Sequence, residues 1–327
     1  MQKTLGPWRA LITRRALSNA TIASNVTTLE FATPDFTTPN LTSLDSATPD
    51  LTSLDSTNTS KTPVTTTFHA VTTPIFYVNA APHIGHAYSL ILADAIRRWE
   101  SVRNRDGAIS QLYTGTDEHG QKVYEAAQRA DMSPQTWCDN VSKTFREMLP
   151  LLGITATRFI RTTEPSHRRA VHELWRRLVQ NGDIYAGVHS GWYCVSEETF
   201  YPEHKLVDTA AGKIVKTTGQ RVEWVEERNY MFRLSAYRTR IIEWLKNAVV
   251  PHARTNDLHA FLTDEEFGDI SVSRRKETVR WGIPVPDDDS QMVYVWLDAL
   301  TNYLTCTGYP DVARTPNVHV VGKDIFK

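Results

Sequence analysis

Thr72-Thr73-Pro74-Ile75-Phe76-Tyr77-Val78-Asn79-Ala80-Ala81-Pro82-His83-Ile84-Gly85-His86 reads as the end of a strand, a tight polar loop and the opening turn of a helix. Phe68 to Tyr77 is dense in aromatic and β-branched residues, and the Asn and Pro that follow stop a strand. From Ile84 the period changes. Ile84, Ala87, Tyr88, Ile91, Ala95, Ile96, Trp99 and Val102 recur at three and four, the stripe an amphipathic helix ordinarily turns to the core. His83 and His86 then stand at the helix N-terminus, three apart on one face. Gly85 between them removes a side chain that would keep a ligand off the backbone.

A helix N-terminus offers unpaired N–H groups and a partial positive charge, and two imidazoles beside it add donors, so a phosphate chain suits the place. Two alternatives stay open on these residues alone. Histidines one turn apart can bind a metal, or they can simply cap the helix.

The alternation of strand and helix continues. Ala108 to Tyr113 is a short apolar run ending in Thr114-Gly115-Thr116-Asp117-Glu118-His119-Gly120, and Val123 to Ala130 reads helical. This is a βαβ unit, with Asn79 to His86 and Thr114 to Gly120 at the same carboxyl edge of a parallel sheet, where such folds bind ligands. Ser133-Pro134 then predicts a capped helix with proline in its first turn. Ser166 opens another, stopped by Gly182, and the apolar stripes of both read as core.

After Asp183 the texture becomes short strands and turns, Ile184 to Tyr193, Glu198 to Tyr201 and Lys213 to Glu227, as if an insertion interrupted the fold. The fold resumes near Asp269. Val293 to Tyr303 is a strand turning into a helix that carries Trp296, Ala299 and Tyr303 on one face. Val318 to Val321 is a buried strand, followed by Gly322-Lys323-Asp324-Ile325-Phe326-Lys327.

Composition bounds the rest. With 327 residues, 41% hydrophobic, the chain can bury a large core. Its formal charge of −1 gives no global pull toward nucleic acid. No apolar run is long enough for a membrane span. Cys138, Cys194 and Cys306 lack CxxC spacing, against a disulfide framework and against a complete zinc site. Residues 1–24 hold Lys3, Arg9, Arg14 and Arg15 and no acid, with Leu5, Trp8, Leu11, Ile12 and Leu17 as apolar spacing, the pattern of a mitochondrial presequence. Residues 25–66 repeat a ten-residue polar unit, Thr38 to Ser46 and again Thr48 to Ser56, and read as a disordered linker.

Thr-Thr-Pro-Ile before His83-Ile84-Gly85-His86 resembles the signature of the class I aminoacyl-tRNA synthetases, and the longer run through Phe76-Tyr77-Val78-Asn79 resembles their methionyl-tRNA synthetase family. Asp269-Ile270-Ser271-Val272-Ser273-Arg274 and Trp281-Gly282-Ile283-Pro284-Val285-Pro286 add to it, and the likeness runs from about Phe68 to Lys327. It implies an α/β, Rossmann-like parallel-sheet nucleotide-binding fold in two halves, 67–182 and 269–327, around a connective insertion at 183–268. It also implies activation of methionine with ATP and Mg2+, then transfer to tRNA(Met); with the presequence pattern and no membrane-length apolar run, the expected place is the mitochondrial matrix, with no membrane partner. By this resemblance His83, Gly85, His86, Arg274, Gly322 and Asp324 serve ATP, His83 and His86 being catalytic. Ile75, Tyr77, Asp117, Trp296, Ala299, Tyr303 and Ile325 form the methionine pocket, with Asp117 on the ammonium. A zinc knuckle often sits in the family's insertion, but Tyr193-Cys194-Val195-Ser196-Glu197 lacks the second cysteine, so no zinc is expected.

Three rival readings remain. Leucyl, isoleucyl and valyl enzymes share the His-x-Gly-His loop but carry a larger editing insertion than roughly 85 residues can hold. A small nucleotidyltransferase with the same loop is the second, but it would lack Thr-Gly-Thr-Asp-Glu-His-Gly and the Trp296 segment. A non-catalytic binding or assembly module derived from a synthetase is the third. The family also carries a Lys-Met-Ser-Lys-Ser loop and an anticodon-reading helical domain well after the Gly-Lys-Asp-Ile segment, so the chain is expected to be an incomplete synthetase with an open sheet edge beyond Val321.

Overall fold

The computed structural model describes residues 11–14, 68–103, 110–197, 199–264, 267–312 and 314–322. The predicted linker at 25–66 lies outside them, as does all of the predicted presequence except Leu11–Arg14, which forms a short strand, β1. The first half then runs β2 (Ala70–Thr72), β3 (Phe76–Tyr77), α1 (Ile84–Arg103), β4 (Gln111–Asp117), α2 (Gln121–Arg129), α3 (Pro134–Leu151), β5 (Arg158–Arg161) and α4 (Pro165–Gln180). The strand expected over Phe68 to Tyr77 is broken at Thr73-Pro74-Ile75, because proline has no N–H to give to a ladder. Thr73 keeps the break in register, its N–H donating to Tyr113 O at 3.0 Å and its hydroxyl standing 2.6 Å from Thr114 Oγ1. Ser133 caps α3 as expected, accepting from the Thr136 N–H. Ser166 does not open its helix: Pro165 takes the first turn and Glu164 the N-cap.

The middle of the chain holds β6 (Ile184–Cys194), β7 (Thr199–Tyr201), β8 (Leu206–Thr209), β9 (Gly212–Val215), β10 (Glu223–Phe232), α5 (Arg238–Ala248), β11 (Val249–Val250) and α6 (His252–Thr263). The two helices were not foreseen. The chain closes with β12 (Ile270–Ser271), β13 (Ser273–Arg275), β14 (Pro284–Val285), β15 (Asp288–Val293), α7 (Val295–Thr305) and β16 (Val318–Val321). β12 joins β10, β6 and β7 in one antiparallel sheet, while β13, β15 and β14 make another. The nucleotide-type sheet therefore resumes at β16 and not near Asp269.

That principal sheet pairs β16, β2, β4 and β5 in parallel, with β3 continuing the line of β2 along β4. The chain leaves β2 toward β4 and β5 on one side, and β16 returns on the other. The carboxyl ends of β2 and β16 thus flank a switch in strand order, the place where such sheets open a crevice. β1 pairs antiparallel with β16, from Leu11 opposite Val321 to Arg14 opposite Val318, and β11 follows. The edge expected to be open beyond Val321 is occupied by this strand.

α1 forms where the period demanded, but the inward face is shifted round the helix and keeps only Ala87 and, partly, Ile96 of the expected stripe. Ala87, Leu90, Ala93 and Asp94 are buried, whereas Ile84, Tyr88, Ile91, Trp99 and Val102 are exposed. Small residues let the helix lie against β2 and β4, and Asp94 is buried because Arg97 and Arg98 both donate to it at 2.6 Å. Leu90 and Ala93 join Val71, Phe76, Val78, Leu112 and Phe145 in the main core. At about 1.5–3 kcal/mol for each large side chain removed from water, this cluster is the chief stabilising mass under the carboxyl edge.

Candidate active site

The His83–His86 turn is arranged by its own backbone. His86 Nδ1 accepts from the His83 N–H and His83 Nδ1 from the Gly85 N–H, both at 3.1 Å. A neutral imidazole that accepts at Nδ1 carries its proton on Nε2, so the two rings turn N–H donors away from the loop. They stack at 3.8 Å, and the His86 ring meets Phe76 and Phe145 edge-on at 5.0 and 5.1 Å. Burial first, and the neighbouring His83 second, push His86 down to about 4. Gly85 has a closer reason than expected: a Cβ there would lie 2.9 Å from the His83 ring.

β4 runs further than its apolar residues suggested, through Thr114-Gly115-Thr116-Asp117, leaving Glu118 to Gly120 as the turn. Gly115 permits the approach of β5, since a Cβ would sit 2.1 Å from Ile160 O. Glu118 is completely buried and accepts from Arg161 at 2.8 and 3.0 Å, from Thr116 Oγ1 at 2.7 Å and from Thr163 Oγ1. Its backbone is gripped as well: Thr162 Oγ1 accepts from its N–H, while Cys138 and the Trp281 indole donate to its carbonyl. Gly120 N–H donates to Trp281 O at 2.9 Å. Asp117 is therefore carried at the end of a strand whose next three residues are pinned to both halves of the fold.

A cavity of about 520 Å³ opens beside it, lined by Ile75, Tyr77, Asp117, Lys122, Glu197, Val295, Trp296, Ala299, Leu300, Asn302 and Tyr303. Of the expected residues, the structure brings together Ile75 from the break after β2, Tyr77 from β3, Asp117 from β4 and Trp296, Ala299 and Tyr303 of α7. This is a small-ligand volume with apolar and aromatic walls and few polar groups. Lys122, Glu197 and the α7 residues Val295, Leu300 and Asn302 were missed. Lys122 follows the Asp117 turn directly in sequence, but Glu197 comes from the turn between β6 and β7, which nothing local connects to the pocket.

Other expected residues fall elsewhere. Arg274 is buried on β13, donating to Ser271 Oγ and Ser273 O at 2.8 Å, with its guanidinium 4.0 Å from the Tyr294 ring centre. Phe200 and Tyr193 stand over the same group, so this cation is caged in aromatic rings and does not line the cavity. Gly322 sits just past β16, at the switch in strand order. Asp324 and Ile325 lie outside the described residues. Cys138, Cys194 and Cys306 are buried thiols, and among the described residues no group of three or more His, Cys, Asp or Glu side chains is arranged to hold a metal ion.

A family model described as class I tRNA synthetases (M) matches residues 69–326. The chain is 47% identical to the mitochondrial methionine–tRNA ligase of Xenopus laevis over 267 residues, 79% of this chain and 47% of that protein. Its identity to the corresponding Homo sapiens enzyme is also 47%, over 268 residues, 78% of this chain and 45% of that one. Its fold is similar to that of Mycobacterium tuberculosis methionyl-tRNA synthetase bound by methionyl-adenylate, with a TM-score of 0.68 and 40% identity, covering 75% of this chain and 48% of that one. The chain spans about half the length of the curated relatives it matches. It belongs to the class I tRNA synthetases, in the branch of the methionyl enzymes.

Proposed function

We propose that the chain is the amino-acid- and ATP-binding part of a methionine–tRNA ligase, which activates methionine as methionyl-adenylate and passes it to tRNA(Met). The observation that carries this reading is the cavity in which Ile75, Tyr77 and Asp117 of the first half meet Trp296, Ala299 and Tyr303 of α7. An amino acid brings an ammonium, and Asp117 supplies the opposite charge. A thioether is polarizable and packs well against aromatic edges, which Tyr77, Trp296 and Tyr303 provide.

The methionine carboxylate is already ionised at neutral pH, so its attack on the α-phosphorus of ATP needs no general base. The work left is positioning and stabilisation of charge on the phosphoryl oxygens. In this reading the Nε2 donors of His83 and His86 serve it, beside the N-terminus of α1. Gly322, and past it Asp324, stand for the ribose side, while Ile325 would complete the methionine wall. Arg274, tied up in its aromatic cage, is left out of the ATP site. Magnesium would arrive on the phosphates of ATP.

Methionine-dependent exchange of pyrophosphate into ATP, measured on this sequence at the full length of its relatives, tests the reading. A binding or assembly module would show none. Trp296→Ala and Asp117→Asn are expected to weaken methionine binding at least tenfold, about 1.4 kcal/mol, and ATP little. Unchanged methionine affinity in both variants would remove the pocket assignment. The acid-free first 24 residues and the mitochondrial relatives support a place in the mitochondrial matrix. A reporter fused behind residues 1–24 should follow them there, and a reporter left in the cytosol would refute it.

A further inference from the structure

One buried cluster is unused by this chemistry and lies directly behind the cavity. Asp298 of α7 turns its two oxygens to two histidines of the first half: Oδ2 is 2.6 Å from His119 Nδ1, and Oδ1 is 2.8 Å from His167 Nε2. None of the three side chains is more than 3% exposed. A carboxylate only accepts, so His119 presents its N–H at Nδ1 and His167 at Nε2. His167 Nδ1 lies 3.0 Å from Thr305 Oγ1, which closes the network back onto α7. Burial works against the Asp298 charge, but the electrostatic pull of the neighbouring His119 and the hydrogen bonds of both rings outweigh it and bring the carboxyl down to about 2.

The placement matters more than the pairing. His119 is two residues beyond Asp117. Asp298 lies between Trp296 and Ala299 in sequence, yet on a helix it points away from the face that they share with Tyr303. One carboxylate thus ties the turn that follows Asp117 to the helix that carries the opposite wall, and α4, through His167, braces both. The Trp281 ring, 5.5 Å from that of His119, backs the joint.

We infer that Asp298 is the positioning residue of the cavity: by holding His119 and His167 together it sets the separation between Asp117 and the Trp296–Tyr303 face of α7. The inference rests on the methionine reading of that cavity. His119→Asn places an amide nitrogen where Nδ1 was and His167→Gln where Nε2 was, so this double variant keeps both donors. Asp298→Ala leaves two buried N–H groups without an acceptor.

The test uses the full 327-residue chain, with hydrogen exchange followed at 117–121 and 295–305 and with methionine and ATP affinities measured by calorimetry. Asp298→Ala should speed exchange about tenfold or more in both stretches while β2 changes less than about twofold, since local opening reports local coupling. It should also weaken methionine about tenfold and ATP less than about threefold, whereas a merely structural role would lower both alike. The double variant should match wild type in every readout. If Asp298→Ala does not fold, Asp298→Asn, which keeps the volume and one acceptor, should loosen both stretches to an intermediate degree. Loosening of α7 alone, equal loss of methionine and ATP, or an Asp298→Asn chain indistinguishable from wild type would overturn the inference. A wild-type chain that binds no methionine would instead count against the cavity reading, and exchange in the two stretches would still decide whether Asp298 couples them.

Discussion

Glu118→Ala is expected to destabilise the chain by about 3–5 kcal/mol, the cost of breaking a buried ion pair by removing one partner. The pair itself need not stabilise the fold by that amount, because taking both charges out of water is expensive. Removal of one is what hurts. Glu118 is wholly enclosed, and without it the Arg161 guanidinium, 20% exposed, keeps only the half-exposed Asp139 at 2.6 Å. Burial works against the Arg161 charge, yet Glu118 first and Asp139 second hold its pKa above the ordinary range. Thr116 and Thr163 would lose their acceptor too. Glu118→Gln keeps the volume and part of the hydrogen bonding, so it should cost less, about 1.5–3 kcal/mol. Chemical unfolding of the two variants beside wild type checks both figures. A loss below about 1 kcal/mol for the alanine variant would show that the turn after β4 is held by something else.

His86→Ala is expected to slow methionine-dependent pyrophosphate exchange by about 3 kcal/mol of barrier, roughly two orders of magnitude, with methionine affinity nearly unchanged. The ring is a fixed donor. Its Nδ1 is occupied by the His83 N–H, its edges are braced by Phe76 and Phe145, and its proton stands on Nε2. Because burial and His83 bring the group down to about 4, it stays neutral at pH 6 and above, and the loss should be the same from pH 6 to 8. A rate within threefold of wild type would end the catalytic assignment of His86. A loss that grew or vanished across that pH range would mean that the charged ring, and not the neutral one, acts.

The sequence by itself determined what is local. The stop at Gly182, the cap at Ser133, the period that makes α1 and α7 helices, and the strand-turn-helix that puts His83 and His86 at an N-terminus all follow from neighbours a few residues apart. Propensity, capping and side-chain period act over that range. What the tertiary structure decided is which surface of each element is used. α1 is apolar on two sides, so its period could announce a helix without choosing a face. The sheet chose the side with Ala87, Leu90 and Ala93, where the two alanines let the helix come close and Leu90 fills the core between. Thr114 to Asp117 looked like a loop for want of apolar residues, but its hydroxyls are satisfied inside the sheet, and Gly115 is there for the Ile160 carbonyl. Arg274, expected beside ATP by resemblance, is ringed by three aromatic side chains, two of them from β6 and β7, a setting that nothing near it in sequence announced. Glu197 and the joint from His119 to Asp298 were invisible for the same reason: the latter partners are 179 residues apart in the chain. A hydrogen bond across that separation leaves no period and no spacing to read, since only the folded backbone brings its donor and acceptor together.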